Sequence, residues 1–152
     1  MAKPIPEGYH AVTPYLICKG AAQAIEFYKK ALGAKELFRM DGPGGTIGHA
    51  ELLIGDSHVM LADESPDGKW RSPQSVGGTP VTMMLYVLDV DATFRAALSA
   101  GAHVVRDVQD QFYGDRSGTI ADPFGHVWTI GTHVEDVSPD EMARRIAQLP
   151  SP

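Results

Sequence analysis

A single cysteine, Cys18, is all the thiol chemistry in this chain. No internal disulfide can form, which suits a reducing compartment. No apolar run approaches the ~18 residues that a membrane span needs, and Met1-Ala2-Lys3-Pro4 opens no secretory signal, so a cytoplasmic address without a membrane partner is expected. Basic residues are scarce. Thirteen Lys and Arg against 19 Asp and Glu leave a net charge of -6, with no Lys/Arg run to follow a phosphate backbone. Nucleic acid is therefore not expected as a partner. What the chain does have is core: 43% of its 152 residues are hydrophobic, enough for one cored domain or two small fused modules.

The strongest pattern is an internal repeat. Leu32-Gly33-Ala34 matches Ala100-Gly101-Ala102, and His58-Val59-Met60-Leu61 matches His126-Val127-Trp128-Thr129, both at a spacing of 68 positions. Thr13-Pro14-Tyr15-Leu16 aligns with Thr82-Met83-Met84-Leu85 at 69, which places a one-residue difference in or just before the helix between them. Each copy reads as strand, helix and three strands.

In the first copy, Ala11 to Cys18 reads as an apolar strand. Ala21, Ile25, Tyr28 and Leu32 then make the apolar stripe of a helix closed by Gly33. Strands follow at Glu36 to Met40, Gly48 to Ile54 and His58 to Ala62, with a hairpin turn through Gly42 to Gly48 that does not fit a dinucleotide-binding pattern. The second copy has a strand at Val81 to Leu88, a helix at about Asp91 to Ala100 capped by Asp89 or Asp91, and strands near His103 to Val108, Gly118 to Ala121 and His126 to Gly131. The expected organisation is a first βαβββ module over 10–63, a linker over 64–79 rich in Pro, Ser and Gly, a second module over 80–135, and a C-terminal helix over 138–149. That helix is announced by Ser138-Pro139-Asp140-Glu141.

Asp122-Pro123-Phe124-Gly125-His126-Val127-Trp128 is a strand–turn–strand that resembles the ending of modules in the vicinal oxygen chelate superfamily of glyoxalases, bleomycin-resistance proteins and dioxygenases. With Thr13-Pro14-Tyr15-Leu16, Ala24-Ile25-Glu26-Phe27-Tyr28, His49-Ala50-Glu51-Leu52 and Tyr113-Gly114-Asp115-Arg116-Ser117-Gly118, the chain resembles the PhnB-like branch over about residues 10 to 135. The resemblance implies an α+β fold of two tandem βαβββ modules whose mixed sheets curl around a cavity. It also implies a homodimer, and, in metal-dependent members, ligands from the first and last strand of each module.

Carried over by the repeat, those four positions hold Thr13, Leu61, Thr82 and Thr129. Divalent metals held by nitrogen and oxygen want His, Asp or Glu at three or four converging positions, so the usual chelate is expected to be absent and no cofactor is implied. His49 and Glu51 lie two apart on a strand and share one face. With His126 or Asp63 nearby they could form a displaced metal site or an acid/base pair; alternatively their face is simply solvated. Arg116 could bind an anionic or carbonyl group with Tyr113 closing over it, or could pair with Asp115, Asp122 or Glu51. Trp128 is either a cavity wall or core, Thr13, Thr82 and Thr129 are candidate ligand contacts, and Cys18 reads as a buried, inert thiol.

Two functions of different class follow. One is a binding protein that holds a small organic ligand between its modules without a metal chelate. The other is a metal-dependent glyoxalase-like lyase or isomerase, or a dioxygenase-like enzyme, working through His49 and Glu51. Outside these two stands a filled cavity, with function residing in an interface.

Overall fold

The first sheet has the order β1-β4-β3-β2, from Tyr15–Cys18, Ser57–Asp63, Ile47–Ile54 and Lys35–Asp41. The second repeats it as β5-β8-β7-β6, from Thr82–Tyr86, Val127–His133, Asp115–Ala121 and His103–Asp110. In this computed structural model, which describes residues 1–151, the outer pairs β1·β4 and β5·β8 are parallel and the rest antiparallel. The chain is thus α+β, with two βαβββ modules in open, mixed four-stranded sheets.

Helices α1 (Ala21–Leu32) and α3 (Val90–Ser99) each cover one face of their own sheet and pack on each other. The reason is the spacing of apolar residues. Ala21, Ala24, Ile25, Tyr28 and Leu32 are all buried, and Val90, Phe94 and Ala97 do the same for α3. Gly33 ends α1 at a φ of +66°, a conformation that costs a glycine nothing. Asp89 caps α3 by accepting from Ala92 N, and Ser138 caps α4 (Pro139–Ala147) by accepting from Glu141 N.

Two expectations are corrected and one segment gains detail. The strand expected over Ala11 to Cys18 is only Tyr15–Cys18, so Thr13 lies ahead of it and its hydroxyl contacts His10 O at 3.4 Å. The expected linker over 64–79 carries the short helix α2 (Pro73–Val76) and Ser72, which is fully buried. The repeat register is also off by one in the last strand. Leu16 pairs with Leu61 and Leu85 with Ile130, whereas Tyr15 pairs with Met60 and Met84 with Thr129. Leu61 is fully buried against the helix side and its counterpart is Ile130; the counterpart of Thr129 is Met60. The cause is the turn before that strand. Gly55 and Asp56 suffice between Ile54 and Ser57, but three residues separate the paired Asp122 and His126.

The modules meet at a buried junction. Asp122, 3% exposed, accepts from Tyr28 Oη of the first module at 2.6 Å and from Trp128 Nε1 at 3.0 Å through one oxygen. Its other oxygen accepts from the Phe124 and His126 amides. His126 Nε2 reaches back to Ile17 O at 2.9 Å, so the imidazole ties the last turn of one module to the first strand of the other.

Candidate ligand-binding site

Strand alternation puts Leu16, Leu61, Ala50 and Leu52 under α1, and turns Tyr15, Met60, Glu51 and His49 to the open face of the first sheet. There the structure brings together two residues the sequence singled out and two it did not. His49 Nε2 lies 3.2 Å from Glu51 Oε1, and His49 Nδ1 lies 2.7 Å from Tyr15 Oη. Tyr9 Oη donates to Glu51 Oε2, and the Tyr9 ring stacks on His58 at a centroid distance of 3.8 Å. Tyr9 sits in the segment ahead of β1 and showed no periodic signal; only its aromatic ring hinted at an anchor.

The electrostatics of this row are consistent. The hydrogen bond from Tyr9, and then that from His49, hold the Glu51 carboxyl below its ordinary range. The same bond pushes Tyr9 up to about 12, and Tyr15 is raised by burial and then by the Glu51 charge. Both phenols therefore keep their protons at neutral pH. Asp63 does not join them. It accepts from Gly20 N and Ala21 N at 2.9 Å each and from Ile47 N at 2.7 Å, spending both oxygens on the start of α1 and on the hairpin.

Beside the row lies a cleft of about 600 Å³. Its walls include Tyr15, Ile17, Pro43, Ile47, Ala62 and Trp70, the last 65% exposed and supplied by the 64–79 segment. A smaller cleft of about 230 Å³ lies between the modules, with Thr13, Met84 and Trp128 on its walls beside His58, whose buried Nδ1 has no partner among the described residues. Trp128 is core and cleft wall together: it is 3% exposed, hydrogen-bonded to Asp122, and faces the smaller cleft.

Other candidates fall elsewhere. Arg116 makes a two-pronged pair with Asp91 at 2.8 and 2.9 Å and reaches Asp110 at 3.1 Å, none of them the partners expected. Tyr113 packs edge-on against Phe112. Thr129 shares a hydrogen bond with Thr119, and Thr82 is exposed on the edge strand β5. His126 is held at the module junction, away from His49.

On the open face of the second sheet, Asp115, 4% exposed, accepts from Tyr86 Oη and pairs with His133 Nδ1, both at 2.8 Å. His133 Nε2 also meets Asp136 at 2.9 Å. Asp115, then Asp136, raises His133 above its ordinary value of 6.5. A raised folded-state value means this contribution is complete below about 6.5 and is lost as pH rises through the folded value. The thermal midpoint is expected to fall across that window, and His133→Gln is expected to flatten the fall; an unchanged slope in the variant refutes the assignment.

The fit to a metal can be judged from the donors. The open-face positions on the outer strand pairs carry Tyr15, Met60, Met84 and Thr129, and among the described residues no three His, Cys, Asp or Glu side chains converge. His49 and Glu51 supply two donors that already hold each other. This set does not fit a divalent ion.

Residues 9–130 match the model of the Glyoxalase/Bleomycin resistance protein/Dioxygenase superfamily. Uncharacterized protein Rv0887c of Mycobacterium tuberculosis is 51% identical over 135 residues, covering 87% of this chain and 79% of that protein. TioX from Micromonospora sp. ML1 has a similar structure, with a TM-score of 0.66, 26% identity and coverage of 82% of this chain and 99% of TioX. A PhnB protein from Bacillus cereus, titled a putative 3-demethylubiquinone-9 3-methyltransferase, shares the fold at 17% identity and a TM-score of 0.61, over 81% of this chain and 99% of its own.

Proposed function

The chain belongs to the Glyoxalase/Bleomycin resistance protein/Dioxygenase superfamily, and from that premise we propose that it binds a small, largely apolar organic molecule in the cleft of the first module, without a metal chelate. The cleft carries this reading. It has the size of a small-molecule site, its walls are mostly apolar, and a tyrosine and a tryptophan stand at its edge. Trp70 supports it further: a large indole left 65% exposed at the mouth of an apolar cleft gains most by covering a ligand.

The proposal extends to a cytoplasmic homodimer. Four edge strands, β1, β2, β5 and β6, are left open by the two sheets, and Phe38, Met40, Val104 and Val105 stand exposed on two of them. Titration calorimetry with neutral naphthalene derivatives, with stoichiometry read against the sedimentation mass, tests both parts. The expected results are one ligand per chain, a mass of two chains, and an affinity loss of roughly tenfold in Trp70→Ala. Wild-type affinity in Trp70→Ala would move the ligand elsewhere, and a mass of one chain would remove the dimer.

A further inference from the structure

The direction of each hydrogen bond in the row beside the cleft can be deduced. An ionised Glu51 only accepts, so it receives Tyr9 Oη–H on one oxygen and His49 Nε2–H on the other. A neutral imidazole with its proton on Nε2 has a lone pair on Nδ1, so Tyr15 must donate its own hydrogen there. Donation runs inward to Glu51 from both ends. Tyr15, which lines the cleft, is left with oxygen lone pairs and no free hydrogen.

The rest of the wall agrees. Among the described residues no Lys, Arg or His lines the cleft. Asp63 and Glu64 bring carboxylates, and Glu64 is held ionised, down to about 2, by hydrogen bonds from Ser75 and Ser72. The hydroxyl hydrogens of Thr46 and Ser65 are donated to Pro43 O at 2.7 Å and Asp67 at 2.6 Å. Apart from the Trp70 indole N–H, the polar side chains of the wall therefore offer acceptors and negative charge.

Resting on the cleft reading above, we propose that the site selects neutral or cationic aromatic molecules that present an O–H or N–H donor to Tyr15, and rejects anionic ones. Glu51 and Tyr9 are positioning residues in this scheme, since they set the tautomer of His49 and hence the polarity of Tyr15. Because hydrogen-bond polarity, unlike apolar fit, discriminates isosteres, matched probes separate the two ideas.

Titration calorimetry at pH 8 compares 2-naphthol, 2-methoxynaphthalene, 2-acetylnaphthalene and 2-naphthoate. Wild type is expected to bind 2-naphthol about tenfold more tightly than the methoxy and acetyl probes, and 2-naphthoate weakest of all. Tyr15→Phe is expected to abolish the preference. In His49→Phe the Tyr15 hydrogen is released, so the preference turns toward 2-acetylnaphthalene, a reversal that loss of packing alone does not produce. Equal binding of the neutral probes by wild type, or tightest binding of 2-naphthoate, overturns the donor rule while leaving the cleft in place. No binding of any neutral probe overturns the cleft reading itself. If either variant fails to fold by circular dichroism, the wild-type comparison decides alone.

Discussion

Asp122→Ala is expected to destabilise the protein by about 3 to 4 kcal/mol, among the largest effects a single substitution can have here. The carboxylate is buried and accepts four hydrogen bonds: from Tyr28 Oη, Trp128 Nε1, and the amides of Phe124 and His126. Alanine removes all four acceptors and leaves a phenol and an indole N–H without partners in the core. Tyr28 has no exit to water, being fully buried, and its ionisation is pushed well up by that burial and then by Asp122. The turn also loses its internal brace, because Asp122 holds the Phe124 and His126 amides across Pro123 and Gly125, where Gly125 sits at a φ of +88°. A thermal midpoint about 10 °C lower than wild type is the expected reading by calorimetry. Asp122→Asn should recover part of it, since the amide oxygen still accepts. A drop of under about 2 °C in the alanine variant would mean the junction adds little to cohesion between the modules.

That junction also shows what the sequence could and could not convey. The Asp122-Pro123-Phe124-Gly125 turn is local chemistry and is legible: proline and glycine sit where the backbone needs them. The contact from Asp122 to Tyr28 joins residues on different modules and leaves no spacing to read. The repeat was legible because core positions recur in the same order. Its register failed at Leu61 because one residue lost in the second helix is regained in the last turn, and identities at His58 and His126 bridged the gap misleadingly. His49 and Glu51 could be placed on one face because strand alternation is strict. Their partners Tyr9 and Tyr15 could not, since Tyr9 lies in an irregular segment and Tyr15 was read only as an apolar strand residue. Trp70 lies in the 64–79 segment, whose sequence carries no periodic signal, and only the folded chain sets it at the mouth of the cleft. Arg116 was open between a ligand and a carboxylate partner, and only its partners were not legible. Asp115, Asp122 and Glu51 were the nearby or motif carboxylates, but Asp91 at the start of α3 lies within reach and satisfies the guanidinium two-fold.

Asp63→Ala is expected to cost about 2 to 3 kcal/mol and to loosen the cleft as well as the fold. Gly20 precedes α1 with a φ of +98° and has no side chain to cap the helix, so the orphan amides of Gly20 and Ala21 turn to Asp63 at the end of β4. Its second oxygen holds the Ile47 amide and so fixes the Gly42–Gly48 hairpin that walls the cleft. The second module solves the same problem with less. Thr132, one position beyond Gly131 on β8 as Asp63 is one beyond Ala62 on β4, accepts from Val90 N and donates to Val87 O. One neutral hydroxyl serving one amide is worth less than a carboxylate serving three, and Asp89 already caps α3. Thr132→Val is therefore expected to cost about 1 kcal/mol, and the two modules should differ in how they open. Amide hydrogen exchange separates the cases: Asp63→Ala should speed exchange at Gly20, Ala21 and Ile47 far more than at α3, and should weaken 2-naphthol binding through the hairpin. Uniform acceleration along the chain would make Asp63 an ordinary contributor to global stability rather than the link between helix start and cleft wall.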